Sequence, residues 1–415
     1  MGFRNTFGAV LAIAVIGFSS AARADTLADA LTAAYQNSGL LDQYRALLRA
    51  ADEDVAQAVS ATLPVISWSA NATATSPRAS GADLIAATAR ISADLTLYDG
   101  GANDLAIEAQ KELVLGTREA LRRIEQSVLL DAVTAYMQVR SDTEFVALRE
   151  SNVRVLTQEF RAAQDRFDVG EVTRTDVALA EARLAAARSL LASAQGSLAR
   201  SAEAYVTAVG RKPDALSPAK AAPVSQTLAD AKAFAVRNHP DILQAQHAVS
   251  AAELNIKRGE AAMKPSVSLG AQIGFDQDFN VGRSIGVTAS GPIYAGGRLS
   301  SQVRQFMSRR DAERAALLVT SMGIEQQVAN AYSFLEVARA SALSSNNQIA
   351  AARVAFRGVR EEATLGARTT IDVLNAEQEL LSAQANLIAA QADEVVASYQ
   401  VLASMGLLTA AHLRL

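Results

Sequence analysis

The stretch FDVGEVTRTDVALAEARLAAA, from Phe167 to Ala187, returns as ATLGARTTIDVLNAEQELLSA from Ala363 to Ala383. The shared pattern GxxTxxDVxxAExxLxxA is displaced by 196 residues and belongs to a longer self-similarity. Leu27-Ala28-Asp29-Ala30 recurs as Leu228-Ala229-Asp230-Ala231, and Leu63-Pro64 as Lys264-Pro265, both displaced by 201. After those prolines the displacement becomes 196, where Tyr98-Asp99-Gly100-Gly101 matches Tyr294-Ala295-Gly296-Gly297 and Ala135-Tyr136 matches Ala331-Tyr332. A chain that repeats a unit of about 200 residues builds two equivalent halves whose exposed faces need each other, or further copies, for cover. The halves fall at 25–210 and 228–415, with a linker over 211–227.

Each half carries two period-2 runs. In the first, Ile66, Trp68, Ala70, Ala72 and Ala74 alternate with Ser67, Ser69, Asn71, Thr73 and Thr75, and a second run alternates Ala89, Ile91, Ala93, Leu95 and Leu97 with polar neighbours. In the second half, Val267, Leu269, Ala271, Ile273 and Phe275 do the same, as do Ile285, Val287, Ala289 and Ile293. This spacing predicts strands near 65–76, 89–98, 266–275 and 284–294, each about ten residues long, the length a tilted membrane-crossing strand needs. A soluble sandwich also alternates, though with strands averaging about 5 to 6 residues. Four strands cannot close a barrel, so the membrane reading requires further subunits.

After each strand pair the pattern turns helical, predicting long hairpins over 99–210 and 295–406. No proline interrupts Gly101 to Phe167, so that stretch reads as one helix on the order of 100 Å long, which has to lie beside partners. The returning helix places Val177, Ala180, Leu184, Ala187, Leu191, Ala194 and Leu198 at alternating spacings of 3 and 4, a coiled-coil seam. Its second copy is Val373, Ala376, Leu380, Ala383, Leu387 and Ala390. Gly170 and Gly366 suit the left-handed position just past a helix end. Thr173 with Asp176, and Thr369 with Asp372, have the spacing of a helix cap and an acid three positions on.

Composition narrows the function classes. Arg4, the apolar run from Ala9 to Phe18 and the exit Ala22-Arg23-Ala24 form the three parts of a secretory leader with an A-x-A cut, which places the leader at 1–24 and the mature start near Asp25. Loss of Arg4 and Arg23 leaves 37 Lys and Arg facing 43 Asp and Glu, without the basic excess of a nucleic-acid binder. No cysteine is present, so disulfides, thiol chemistry and an N-terminal lipid-bearing cysteine are excluded. No phosphate loop, nucleophile elbow or zinc-helix motif occurs, and His239, His247 and His412 are scattered. The residues give no basis for catalysis, a cofactor or a metal.

Leader, duplication, strand pairs, Tyr-x-Gly-Gly and G-x-x-T-x-x-D-V at each hairpin turn together resemble the TolC family of outer-membrane efflux and secretion ducts. Without an N-terminal cysteine, the chain looks like the non-lipidated, type I secretion branch. The resemblance implies a mainly α fold with membrane β: a homotrimer with a 12-stranded outer-membrane β-barrel, four strands per subunit, continued by a periplasmic α-helical barrel. Segments near 25–40, 211–238 and the C-terminal end would form an equatorial band. The implied partners are outer-membrane lipid and an inner-membrane transporter, ABC or proton-driven, with its periplasmic adaptor (membrane fusion) protein. The hairpin turns would form a periplasmic gate. Arg368 would link to Thr175 and Asp176, and Asp372 would give a ring of three carboxylates. Two positions depart from the family pattern: Ala363 replaces a gate tyrosine, and Asn375 replaces a second ring aspartate. A periplasmic coiled-coil adaptor or scaffold would account for the seams and leader, but not for four amphipathic strands or the duplication.

Overall fold

The structure, a computed structural model, describes residues 25–75 and 84–415; the predicted leader and the last residue of the first predicted strand lie outside the described residues. The first half runs α1 (Leu27–Asn37), α2 (Gly39–Ser60), β1 (Val65–Thr75), β2 (Leu84–Tyr98), α3 (Ala102–Asp168) and α4 (Arg174–Val209). The second repeats this order as α5 (Leu228–Asn238), α6 (Pro240–Ala261), β3 (Ser266–Asp276), β4 (Val281–Ser290), α7 (Arg298–Thr364) and α8 (Thr370–Ser404), and a short α9 (Ala410–Leu413) follows.

The strands form one antiparallel sheet in the order β1-β2-β3-β4. Its register aligns Trp68 with Ile91 and Ile91 with Ile273, and Ala93 with Ala271 and Ala271 with Ile285. The predicted apolar sets therefore share one face, while Ser67 and Ser92 hydrogen-bond at 2.8 Å on the other. In the single chain the apolar face lies open, with Trp68 79% and Ile285 77% exposed. Three boundaries differ from expectation by three residues or more. β2 begins at Leu84, five residues before the predicted 89, and β4 begins at Val281, three before the predicted 284, and ends at Ser290 instead of 294. The early end has a local cause: Pro292 has no N–H for the ladder, and a Cβ on Gly291 would stand 2.9 Å from Pro265 Cα.

α3 and α7 each have 67 residues, a length of about 100 Å. The returning helices are shorter, 36 residues in α4 and 35 in α8, and so accompany only the half of each long helix nearest the turns. The half nearest the sheet is covered by α2 and α6, of 22 residues each, which pack on α3 and on both α3 and α7 respectively. The sequence reading had no place for these two helices. At Ser38 the side chain caps α2 through Leu41 N, while His239 accepts from Asp241 N ahead of Pro240 to start α6. These bonds let the chain turn a corner between each short helix and the next.

The main core lies where α1, α5 and the linker wrap the middle of α3 and α7 and the C-terminal ends of α4 and α8. Leu31, Leu129, Val133, Tyr136, Tyr205, Val328, Leu335 and Val401 are fully enclosed there. A smaller cluster of Leu156, Leu184, Ala187 and Leu374 lies nearer the turns. Of the predicted α4 seam, Ala180, Leu184 and Ala187 are buried, as are Val373, Ala383 and Ala390 of α8.

Both long helices start from a left-handed Gly-Gly pair, at Gly100-Gly101 and Gly296-Gly297, but only α3 has an acceptor there. Asp99 receives the N–H groups of Gly101, Ala102 and Asn103 at 2.9, 3.1 and 2.7 Å, and Ala295 occupies the equivalent position before α7. Asp99→Ala should cost about 1 kcal/mol locally. Amide hydrogen exchange at residues 101–103 should accelerate about fivefold, and Ala295→Asp should slow exchange in the first turn of α7.

Candidate functional site at the hairpin turns

Both hairpin turns are built from the same three elements. Gly170 and Gly366 adopt φ of 81° and 77°. Beside them Glu171 N reaches Arg166 O, and Ala367 N reaches Glu362 O, both at 2.9 Å, closing the last carbonyls of α3 and α7. Thr173 and Thr369 then start the return helices. The Asp176 carboxylate accepts from Thr173 N at 2.9 Å and Thr173 Oγ1 at 2.7 Å, while Asp176 N donates back to Thr173 Oγ1 at 3.3 Å. Asp372 and Thr369 repeat the reciprocal pair at 3.0, 2.7 and 3.4 Å.

These bonds set the charge of the turns. Hydrogen bonds from Thr173 hold the Asp176 carboxyl below the usual carboxylate range. Those from Thr369, with a smaller contribution from the Arg368 guanidinium, do the same for Asp372. Bonds that favour the charged form keep both acids ionised at any pH near neutrality. Because the folded values are depressed, the stability they contribute is present above the ordinary carboxylate range and is lost as pH falls through the folded values.

The two turns border a cleft of about 930 Å³ whose lining includes Arg166, Asp176, Arg360, Ala363 and Arg368. Arg368 and Asp176 thus share one opening, and Thr175 is exposed beside them on the first turn of α4. Inside one subunit, however, the expected link of Arg368 to Thr175 and Asp176 is not the bond formed. Arg368 Nε lies 2.8 Å from Glu362, six residues earlier in its own turn, and both side chains are about half exposed. Asn375 accepts from Arg183 Nη2 at 3.4 Å, bridging α8 to α4.

One titratable group here was missed in the sequence. Glu377 lies on a stripe with Leu374 and Leu381 that α8 buries in addition to its predicted seam. Its Oε1 accepts from Asn152 of α3 at 2.9 Å, and its Oε2 is enclosed without a hydrogen-bond partner. Burial, opposed by the Asn152 bond, pushes this carboxyl up to about 7. Glu159 of α3 and Arg360 of α7, 3.8 Å apart, are the charges that face it, and α4 contributes the apolar Leu184 nearby.

The model for outer membrane efflux proteins matches the chain twice, over residues 30–211 and 234–407, one match to each half. The chain is 40% identical to the outer membrane efflux protein BepC of Brucella suis over 98% of its own length and 91% of that protein's. It is 22% identical to the outer membrane protein TolC of Escherichia coli, over 89% of this chain and 81% of that one. Among solved structures, the CusC channel superposes with a TM-score of 0.81 at 18% identity, covering 91% of each chain.

For Glu377 the folded value lies above the ordinary 4.5, so the stability its neutral form contributes is fully present below about 4.5 and lost as pH rises through about 7. Glu377→Gln, uncharged throughout, should melt higher than the parent protein at pH 8 and at the same temperature near pH 4.5. Thermal scans by circular dichroism across that window check this. Parallel curves at every pH would mean that the carboxylate is solvated.

Proposed function

Because the chain belongs to the outer membrane efflux protein family, it is an outer-membrane exit duct reaching into the periplasm, and we propose that its two hairpin turns form an iris at the periplasmic mouth. The observation that carries the duct reading is an open four-stranded sheet with an apolar face, set on helices of about 100 Å. β1 and β4 each have one unpaired edge, and Ile66 and Trp68 project from the outward face. Three copies supply twelve strands, close those edges and turn the apolar face to lipid. A soluble adaptor would leave that face without a use.

The α-barrel follows from the duplication. α3 packs against α8 inside one subunit, and by repeat equivalence α7 packs against α4 of the next copy. Exposed Val319, Met322, Phe334 and Val337 on α7 supply apolar surface for that contact. Three Asp372 carboxylates, kept ionised by Thr369, then converge on the axis and favour cations, as acidic rings do in other pores. Arg368 exchanges its Glu362 partner for Thr175 and Asp176 of a neighbouring subunit when the mouth is shut.

Opening is driven from outside the chain, by an inner-membrane transporter acting through a periplasmic adaptor. The duct moves cargo without chemistry of its own. The efflux role named for the Brucella relative supports small toxic compounds as cargo, and secreted proteins would use the same path. With Ala363 where the family pattern has a tyrosine and Asn375 where it has an acid, this mouth is latched less firmly and carries less negative charge.

Single-channel recording in a planar lipid bilayer tests the gate. The parent protein should give discrete cation-selective steps. Asp372→Asn should lower the cation preference, Arg368→Ser should raise conductance, and Asn375→Asp should increase selectivity. Unchanged currents in all three variants, with only a loss of helix content, would reduce these residues to caps. A protein that stays soluble without detergent and passes no current would end the duct reading itself.

A further inference from the structure

Asp25, the residue after the Ala22-Arg23-Ala24 exit, is already built into the equatorial core. Its N–H donates to Ala215 O at 2.8 Å, and its carbonyl accepts from Ser217 N at 2.9 Å, forming a parallel bridge to the linker. Its Oδ1 holds Arg211 Nη2 at 2.8 Å. Tyr136 Oη lies 2.9 Å from Asp25 O and 2.7 Å from Ser217 O, so one hydroxyl hydrogen faces two carbonyl oxygens. Tyr205, fully enclosed, stands against Tyr136 with ring centroids 6.5 Å apart.

The cluster is short of donors. Asp25 Oδ2 and the Tyr205 hydroxyl are both buried with no hydrogen-bond partner, a state that costs each group its lost hydration. Two acids, Asp25 and Asp29, stand near Tyr205 against Arg211, so the surroundings are also negative. Burial, with the Asp25 carboxylate next in weight, drives the Tyr205 phenol up to about 12, so it stays a neutral hydroxyl able to accept a hydrogen bond. The missing component is a cation with spare N–H groups at the position of Asp25 N.

Leader removal would make that cation in place. Hydrolysis of the Ala24–Asp25 bond by a leader protease consumes one water, sends the Ala24 carbonyl carbon away as a carboxylate, and leaves the Asp25 nitrogen as an ammonium. The nitrogen passes from one N–H to three and from neutral to positive. We propose that the freed α-ammonium of Asp25 is itself the ligand of this pocket: it keeps Ala215 O and adds Asp25 Oδ2 and the Tyr205 hydroxyl, so that processing locks the mature N-terminus onto the 211–217 segment. The assignment rests on the leader reading of residues 1–24 and is independent of how the mouth opens.

The test uses the exported protein in detergent. N-terminal sequencing first establishes the start; any start other than Asp25 refutes the leader boundary, and the ammonium site with it. A chain that does start at Asp25 is then acetylated with an amine-reactive ester, intact and in urea, with exposed Lys212 and Lys220 as internal references. The α-amine of the intact protein should react at least tenfold more slowly than in urea, while the two lysines change little. Tyr205→Phe should raise the α-amine rate and lower the melting temperature, because it removes a bonded hydroxyl. One alanine inserted before Asp25, which moves the amine out of the pocket, should lower the melting temperature similarly. An α-amine that reacts as fast in the intact protein as in urea, or a Tyr205→Phe variant at least as stable as the parent, would overturn the site and leave the leader reading intact.

Discussion

A helix of 67 residues cannot bury its apolar stripe within itself, and everything else in this chain follows from finding partners along that length. Neither return helix is long enough, so the chain supplies cover in two instalments. α4 and α8 serve the half near the turns, and α2 and α6 serve the half near the sheet. The handover falls at the equator, where α1, α5 and the linker close over the gap and where the largest enclosed side chains gather. The equatorial band is therefore the place where one set of partners stops and another begins.

The same economy governs the turns. Asp176 and Asp372 first start helices, through reciprocal bonds with Thr173 and Thr369. Those bonds also keep the carboxylates charged, which is what a cation-selective constriction requires. Arg368 differs, because its partner Glu362 is exposed and in its own turn, an arrangement that leaves the guanidinium free to be exchanged at low cost.

Between the turns and the equator, Glu377 introduces a polar element into the packing of α3 on α8. A carboxyl with one partnered and one orphaned oxygen is cheapest when protonated, and its charges of reference, Glu159 and Arg360, come from two other helices. Adhesion between the two hairpins of one subunit is thereby tied to pH near neutrality. Leu374 and Leu381 on either side keep the contact apolar enough for that dependence to matter.

Features with short-range causes were legible in the sequence. The strand faces follow from alternation, the turn caps from a threonine and an acid three residues apart, and the two halves from a displacement of 201 and then 196 residues. α2 and α6 went unread although α2 is amphipathic, because their cover lies on α3 and α7, and only Leu41 of α2 is fully buried within one chain. The bond from Asn152 to Glu377 spans 225 positions, and nothing local to either residue announces it. β4 stopped short of its alternating pattern for a local reason that alternation alone does not register, the missing N–H of Pro292. The sequence alone thus determined which segments become strands, long helices and turns, because propensity, periodicity and capping act within a few residues. Only the tertiary structure decided which helix covers which half of α3, where Arg368 finds its acid and which acceptors stay unfilled around Asp25, because those depend on distances between residues the chain itself keeps far apart.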